Sequence, residues 1–386
     1  MAGSGSEADA GNGGRLVSLG ARGGTGPGAE VISVDAMGGD LGPAAVVGGL
    51  AKLARRNAGA RFLLHGPEAE LSRLLRRRGW LAERVEIRDA PETVPMDAKP
   101  SRVLRRARGT SMLSALEAVA RGEAATAVSC GNTGALLLLS MTTLKRAPGV
   151  ERPAIAVLWP SRGPAGRNIV LDVGADIRAD ADNLLQYALM GAEYARLGLG
   201  CARPRVGLLN VGSEETKGGE ALRRAAELIA AAAIRPGADF AYIGFVEGGD
   251  ILSDRVDVIV TDGFTGNVAL KTAEGTAKLI SDAVKDAFAG GLGGRLAGLL
   301  ALRSLSRLRK RIDPRRVNGG VFLGLDGAVV KSHGGADATG VAAALELAAS
   351  MGVSGFPERV AEQVANALSP GEGPGVDSKL SGTSDG

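Results

Sequence analysis

One pattern recurs along this chain and constrains its fold more than any other feature: a short β-branched run, a glycine-rich polar turn and the start of a helix. In residues 256–275 the run VDVIV is broken by Asp262 and Gly263 before helical spacing resumes. A run of about five such residues suits one buried strand and is too short for a helix. The turn that follows directs backbone N–H groups to a helix N-terminus, which favours negative charge. Each such unit is therefore a candidate anion-binding turn.

At least five of these turns follow predicted strands, and they carry Asp35, Asn132, Asp176, Lys217 and Asn267. Strands that alternate with helices predict an α/β fold with a doubly wound, mostly parallel sheet. In such sheets ligands bind beyond the carboxyl ends of the strands. Any one turn is explained as well by ordinary α/β turn geometry, but five at equivalent strand ends favour a ligand site. The dinucleotide fingerprint and the Walker pattern are both absent from the sequence.

Composition argues against several classes of protein. Aromatic residues make up only 3% of the chain and the net charge is +4, so nucleic-acid binding by base stacking is not expected. Two cysteines cannot form a disulfide framework, and two histidines do not favour a zinc site. No apolar run reaches the roughly 18–20 residues that a spanning helix needs. We expect a cytoplasmic protein whose mildly basic surface suits an acidic protein or an anionic membrane.

The predicted domain organisation is simple. Residues 1–30 and 369–386 are rich in Gly and Ser without periodicity, which is typical of disordered tails. Residues 31–368 form one predicted α/β domain, whose length also allows two interleaved lobes. Residues 102–120 are predicted as a single helix. Residues 290–316 place leucines opposite Arg and Lys, which predicts a basic amphipathic helix for a dimer contact, an anionic membrane or an acidic partner.

Three lysines stand in or just after the glycine-rich turns, although only 10 of the 46 basic residues are lysine. Lys217, Lys271 and Lys331 are candidates for holding an anion, since lysine is a compact point charge; a chance scatter of surface lysines is the alternative. His333 follows Lys331 in KSHGG and is either a site residue or an ordinary exposed histidine. Cys130 adjoins an apolar strand with no histidine nearby, which favours a buried structural thiol over a nucleophile.

These motifs together resemble one family, the bacterial phosphate acyltransferases known as PlsX. The resemblance covers about residues 31–350 in the family's order and is most specific in DGFTGNVALK (262–271) and KSHG (331–334). The other matching motifs are VDAMGGD (34–40), an M-D-x-x-P loop with Arg105 and Ser111, SCGNTGAL (129–136), RPA (152–154), LDVGAD (171–176), YALMGAEYA (187–195), RVGLLNVGSEETKGG (205–219), VEG (246–248) and GAVVKSHGGAD (327–337).

The resemblance implies a fold like the phosphotransacetylase and isocitrate-dehydrogenase-like group, a homodimer, and synthesis of acyl phosphate from acyl carrier protein and inorganic phosphate early in phospholipid synthesis. It implies an acidic carrier protein as partner and a product handed to a membrane glycerol-3-phosphate acyltransferase, with peripheral contact between residues 290–316 and an anionic membrane. Because the reaction needs positioning and oxyanion stabilisation, we expect no cofactor and no metal.

With the resemblance, the sequence assigns Lys331 and His333 to phosphate and the developing charge, and Asn132 and Asn267 to the thioester carbonyl and phosphate. Lys271 completes the candidate catalytic residues. Thr133 is expected to be available as a helix cap, and Asp35 and Asp262 to orient loops. The candidate substrate-binding residues are Asp35, Gly38, Gly39, Arg105, Ser111, Asn132, Thr133, Gly134, Lys217, Gly218, Asp262, Gly263 and Gly266.

The chain departs from the family pattern at a few positions. Asp176 stands where the family usually has Asn, Phe245 stands near its usual Asn, Asn318 replaces a common Tyr, and Cys130 replaces a common Ala. The rival enzyme is a metal-dependent decarboxylating dehydrogenase on a similar fold, which needs clustered acidic ligands and a dinucleotide site. The non-enzymatic rival is a membrane scaffold that uses residues 290–316, and it leaves the five polar turns without a purpose.

Overall fold

The structure is a computed structural model. The residues that it describes are 31–214, 216–289, 319–352 and 355–368, together with Gly291 and Ala301. Both predicted tails lie outside the described residues, and so does the predicted amphipathic segment 290–316 apart from those two positions.

Strands and helices alternate along the described chain, as the sequence predicts. In chain order the elements are β1 (Val31–Asp35), α1 (Gly42–Arg56), β2 (Arg61–Gly66), α2 (Glu68–Arg76), α3 (Gly79–Ala82), β3 (Val85–Asp89), α4 (Pro100–Arg106), α5 (Ser111–Ala120), β4 (Thr126–Ser129), α6 (Thr133–Thr143), β5 (Ala154–Pro160), β6 (Arg167–Leu171), α7 (Ala181–Leu199), β7 (Arg205–Leu209), α8 (Glu220–Ala233), β8 (Ala241–Val246), a 3-10 helix (Gly248–Leu252), β9 (Val258–Val260), α9 (Gly263–Ala289), β10 (Gly320–Leu323), β11 (Ala328–Lys331), α10 (Ala338–Gly352) and α11 (Phe356–Leu368).

These elements divide into two compact units, where the sequence predicted one domain and allowed two lobes. Unit 1 contains the described residues of 31–144, 319–320 and 327–352. Unit 2 contains those of 145–289, 321–326 and 355–368. The chain therefore passes from one unit to the other several times.

Unit 1 is built on five strands in the order β3-β2-β1-β4-β11. Every neighbouring pair in this set is parallel. Because parallel strands all end at the same edge, the turns after β1, β4 and β11 leave three adjacent strands side by side. These are the turns that carry VDAMGGD, SCGNTG and KSHGG.

Unit 2 is built on six strands in the order β10-β5-β6-β9-β7-β8. The strands from β6 to β8 are parallel, while β5 pairs with β6 in the antiparallel direction. The turns after β6, β9 and β7 again leave adjacent strands at one edge. The predicted α/β fold with a mostly parallel sheet is confirmed.

Small residues bring helices close to their neighbours, which accounts for the high glycine and alanine content. In unit 1, a Cβ on Gly49 of α1 would lie 2.5 Å from Val341 of α10. In unit 2, a Cβ on Gly191 of α7 would lie 2.7 Å from Val258 and 2.8 Å from Leu171. These contacts allow close packing without aromatic layers.

The predicted single helix over residues 102–120 is wrong. The structure has two helices, α4 and α5, separated by a turn in which Gly109 adopts φ +79°. Thr110 ends the break because its hydroxyl accepts a hydrogen bond from the backbone N–H of Leu113 and caps α5. Ser111 therefore lies at the start of a helix, not in the middle of one.

Within the described residues, no single helix is long and apolar enough to cross a membrane. One bent pair, Ala338–Gly352 with Phe356–Asn366, passes the same test by length and composition only. Much of α10 is buried, including Val341, Ala344 and Leu345, as expected for a core helix.

Candidate active site

Asp35 is the organising residue of the unit 1 turns. It is buried at the end of β1, and its Oδ1 accepts hydrogen bonds from the Met37 N–H at 3.0 Å and the Ser111 hydroxyl at 2.6 Å. Its Oδ2 accepts from the Ser129 hydroxyl at 2.6 Å. One carboxylate thus joins the first turn to α5 and to the end of β4. Ser111, a predicted substrate-binding residue, therefore uses its hydroxyl in a hydrogen bond to Asp35.

The unit 1 turns pack backbone against backbone. A Cβ on Gly38 would lie 2.6 Å from both Asp35 Oδ2 and the Gly131 nitrogen. A Cβ on Gly39 would lie 3.2 Å from Cys130, and the Asp40 N–H donates to the Gly334 carbonyl at 2.9 Å. Only glycine allows these approaches, so the three strand-end turns converge on one small region.

Lys331 brings a cation into that region. Its side chain is buried at the end of β11, and Nζ donates to the carbonyl oxygens of Cys130, at 3.3 Å, and Ser332. The Ser332 N–H in turn donates to Ser129 at 2.9 Å, which ties β11 to β4. A buried ammonium acts at lower effective dielectric than a surface one, so its attraction for an anion is stronger.

His333 lies beside this cation in sequence but is exposed. Its Nδ1 accepts a hydrogen bond from the Gly335 N–H at 3.1 Å. The neutral imidazole therefore carries its proton on Nε2. This arrangement is suited to donating a hydrogen bond to an anion.

Asn132, which the sequence assigned to the thioester carbonyl and phosphate, forms hydrogen bonds within the protein. It is the N-cap of α6, since its Oδ1 accepts from the Ala135 N–H at 2.9 Å. Its Nδ2 donates to the carbonyls of Met96 and Ala98, at 2.6 and 3.2 Å. The side chain is thus used for capping and for holding a loop. Thr133 is the first residue of the helix, so the expectation that it serves as the cap is wrong.

Two further predicted substrate-binding residues of unit 1 lie at the surface. Arg105 is exposed on α4, and Gly134 is exposed in the first turn of α6, where a Cβ would lie 2.9 Å from Pro100. Arg105 is thus exposed, whereas Ser111, with which it was grouped in one motif, is buried.

Cys130 lies among these turns as a buried thiol. Burial raises the pKa of this thiol, and that effect outweighs the opposing influence of Ser332 and Lys331. A thiol with a raised pKa is a poor nucleophile at neutral pH, which favours the structural role.

In unit 2 the organising residue is Asp172, which the sequence reasoning missed. It is fully buried after β6 and accepts hydrogen bonds from four backbone N–H groups at distances of 2.6–3.1 Å, those of Ile155, Gly174, Ala175 and Asp176. Burial raises the pKa of this carboxyl, while the N–H groups act in the opposite direction. The available signal was an Asp directly after a buried strand and two residues before a glycine.

The predicted turn after β9 packs directly on Asp172. A Cβ on Gly263 would lie 2.7 Å from Asp172 Oδ2, and the Gly263 N–H donates to the Asp176 carbonyl at 2.7 Å. A Cβ on Gly266 would overlap the backbone oxygen of Asp172. Asp262 caps α9 by accepting from the N–H groups of Phe264 and Thr265, each at 2.9 Å.

Asn267 lies exposed in the first turn of α9, beside the turn after β6. In that turn, the buried Asp176 accepts from the Tyr187 hydroxyl at 3.1 Å and pairs with the exposed Arg152 at 3.6 Å. Burial, helped by Asp176 and Asp172, raises the pKa of Tyr187. The position that departs from the family pattern therefore joins its turn to α7 and to Arg152, which precedes β5.

Lys217 and Lys271 differ from Lys331 in their surroundings. Lys217 pairs with Glu214 at 2.7 Å and Lys271 pairs with Glu274 at 2.8 Å, and all four side chains are largely exposed or half-exposed. Gly218 follows Lys217, whose carbonyl is held by the Asn210 amide at 3.1 Å. Exposed ion pairs of this kind contribute little to the stability of the fold. Of the three predicted lysines, Lys331 is buried, whereas Lys217 and Lys271 lie at the surface.

The donors available to an anion are thus backbone N–H groups, a buried ammonium and an imidazole. Within the part of the chain that the structure describes, no group of three or more His, Cys, Asp or Glu side chains is arranged to hold a metal ion. The chemistry that these donors suit is the binding of phosphate and the stabilisation of an oxyanion.

Comparison with known proteins gives a consistent result. The sequence profile of a family described as fatty acid synthesis protein matches residues 31–359. A phosphate acyltransferase of Paracoccus denitrificans (strain Pd 1222) is 64% identical over 329 residues, which covers 85% of this chain and 88% of the relative. A phosphate acyltransferase of Jannaschia sp. (strain CCS1) is 62% identical over 328 residues, with coverage of 85% and 89%.

Solved structures support the fold. A phosphotransacetylase from Streptococcus pyogenes matches with a TM-score of 0.56 at 16% identity, covering 84% of this chain and 94% of that one. The EutD phosphotransacetylase from Staphylococcus aureus matches with a TM-score of 0.53 at 15% identity, covering 88% and 94%. Identity this low shows the fold alone, and it is the fold group that the sequence predicted.

Proposed function

The chain belongs to the phosphate acyltransferase family described as fatty acid synthesis proteins, and from that premise we propose that it makes acyl phosphate from inorganic phosphate and an acyl thioester carried on acyl carrier protein. An oxygen of HPO₄²⁻ attacks the thioester carbonyl carbon, and a tetrahedral oxyanion forms. The C–S bond then breaks, and the phosphate proton passes to the departing carrier thiolate. Near neutral pH phosphate is already a nucleophile and a thioester already has a good leaving group. The protein's task is therefore to position the two reactants and to stabilise the oxyanion.

Buried Lys331 is the single observation that carries this proposal. It places a cation at the point where the turns after β1, β4 and β11 meet. Its Nζ donates to the carbonyl oxygens of Cys130 and Ser332, and the positive charge of this buried group would attract a phosphate dianion. His333 is proposed as a second donor to phosphate through Nε2.

Each unit, taken by itself, has glycine-rich turns that are proposed to supply backbone donors to an anion. In unit 1, Gly38 and Gly39 leave no side chain between the turns. In unit 2, Gly263 and Gly266 hold the turn after β9 against Asp172, and Asn267 offers an exposed amide there. Donors fixed in this way need no reorganisation during the reaction.

Product analysis tests the proposed function. Purified protein is mixed with acyl carrier protein bearing an acyl thioester, with or without phosphate, after extensive treatment with EDTA. We expect phosphate-dependent release of the carrier thiol and an equal amount of acyl phosphate detected by phosphorus NMR. Thiol release that ignores phosphate, or activity that EDTA abolishes and magnesium restores, would overturn the proposal.

Three further interactions are proposed from the family. The chain is proposed to form a homodimer, to pass its product to a membrane glycerol-3-phosphate acyltransferase, and to bind an anionic membrane peripherally through residues 290–316. An acyl phosphate carries an apolar chain, so release next to a bilayer is physically favourable. Sedimentation with anionic vesicles measures the membrane contact directly.

A further inference from the structure

A basic segment of unit 1 lies beside the candidate site and has no role in the mechanism above. This segment, called the basic strap, consists of residues 95–108 and includes α4. It contains five cations, Lys99, Arg102, Arg105, Arg106 and Arg108, and one acid, Asp97. Its net charge of +4 equals that of the whole chain, so it is a strong local concentration of positive charge.

The cations of the strap are unpaired at the surface. All five are exposed, and none forms an ion pair with any residue that the structure describes. Among the other exposed cations of the described chain, Lys217, Lys271 and Arg56 have acidic partners, whereas Arg76 and Arg77 form no ion pair with a described residue. Leu104 and Met96 add apolar surface, each with 43% of its area exposed. Exposed charges of one sign beside apolar side chains suit a charged protein partner.

The strap is fastened to the catalytic turns by specific contacts. Asn132 donates both amide hydrogens to strap carbonyls, those of Met96 and Ala98. Pro100 lies against Gly134, and the Met96 methyl group lies against Gly334, next to His333. A macromolecule bound on the strap would therefore be held at the border of the turns that contain Lys331 and His333.

We propose that the basic strap is the docking surface for an acidic face of the carrier protein that delivers the acyl group. This inference rests on the proposed function, because it takes the thioester donor to be protein-bound. A thioester on a flexible arm reaches the catalytic turns only if its carrier docks nearby, and the strap is the unpaired basic surface fastened to those turns. Charge complementarity of this kind acts mainly on the rate of association. Removing the charges of the strap should therefore raise the KM for the carrier.

The test compares two acyl donors and two charge-reversed variants. The strap variant is Arg102→Glu with Arg106→Glu, which leaves Arg105 in place. The matched control is Arg76→Glu with Arg77→Glu, an exposed pair at the end of α2 in the same unit. The donors are acyl carrier protein and the same acyl group on pantetheine, a small thioester without the carrier's charge. Circular dichroism confirms that both variants are folded.

For the strap variant we expect a KM for acyl carrier protein at least tenfold higher and a rate with acyl pantetheine within twofold of wild type. The control variant should change neither value by more than twofold, and added salt should raise the wild-type KM toward that of the strap variant. The proposal would be overturned if the strap variant lost the same fraction of its activity with both donors. It would also be overturned if that variant kept the wild-type KM for acyl carrier protein and bound anionic vesicles more weakly. Failure of the wild-type protein to form acyl phosphate from either donor would instead refute the proposed function.

Discussion

The two units end their parallel strands in similar glycine-rich turns, but they stabilise those turns differently. In unit 1, the carboxylate of Asp35 is held by two serine hydroxyls and one N–H group, and a buried ammonium, Lys331, lies close to the same turns. In unit 2, the hydrogen bonds to Asp172 from described residues all come from backbone N–H groups, and the two predicted lysines lie at the surface with acidic partners. The same local motif thus supplies charge in one unit and a rigid backbone in the other.

The largest expected effect tests the rigid backbone of unit 2. We expect Gly266→Ala to destabilise the protein by at least about 3 kcal/mol, because the new methyl group meets the backbone of Asp172, which cannot move aside as a flexible side chain would. Urea unfolding measures the change. Gly275→Ala is the control: it lies on the same helix with open space around it and should be stabilised by about 1 kcal/mol. Equal stability of the two variants would contradict the packing of this turn.

A second, smaller effect separates the two units by pH. Both histidines of the chain belong to unit 1, and His65 is buried there between the hydroxyls of Ser33 and Ser114, at 2.9 and 2.8 Å. Burial, with smaller contributions from Arg88 and Arg121, lowers the pKa of His65 from 6.5 to about 3. Only the unfolded chain then binds the proton between those two values, so acid favours unfolding. Stability should fall by about 1.4 kcal/mol per pH unit below 6.5.

The measurement is native-state hydrogen exchange of wild type and His65→Gln at pH 7.5 and pH 5. In wild type, amides of β1, β2 and α5 should lose about 2 kcal/mol of protection free energy at pH 5, and the variant should lose that acid sensitivity. Amides of β6 and β9 report on unit 2, which has no histidine. Identical pH profiles for the wild type and the variant would show that His65 is protonated in the folded state.

Much of the fold was predictable because hydrophobic period and turn chemistry are local. The β-branched run VDVIV (256–260) predicted β9 to within two residues of its observed ends. The break between α4 and α5 was missed because the helical spacing continues across it, while Gly109 needs a positive φ that spacing does not reveal. The division into two units depends on contacts distant in sequence, which a local pattern does not contain.

The candidate site was predictable only as a set of turns. Lys217, Lys271 and Lys331 look alike in sequence, since each stands in or after a glycine-rich turn, yet only Lys331 is buried. The difference arises because Lys331 is the last residue of the buried strand β11, whereas the other two have an acid three residues away on the surface. Asp172 was overlooked because its role is to accept hydrogen bonds from four backbone N–H groups, and the sequence does not show which N–H groups the folded turn brings to it.

The buried charge of unit 1 is the central claim, and the effect of Lys331→Met on phosphate turnover tests it most directly. Met keeps the length and packing of the side chain and removes its charge, and Lys271→Met is the control at an exposed, paired lysine. We expect kcat/KM for phosphate to fall at least tenfold in Lys331→Met, about 1.4 kcal/mol of transition-state stabilisation, with an unchanged unfolding midpoint. Lys271→Met should stay within twofold of wild type. Wild-type kcat/KM in a folded Lys331→Met protein would contradict the account.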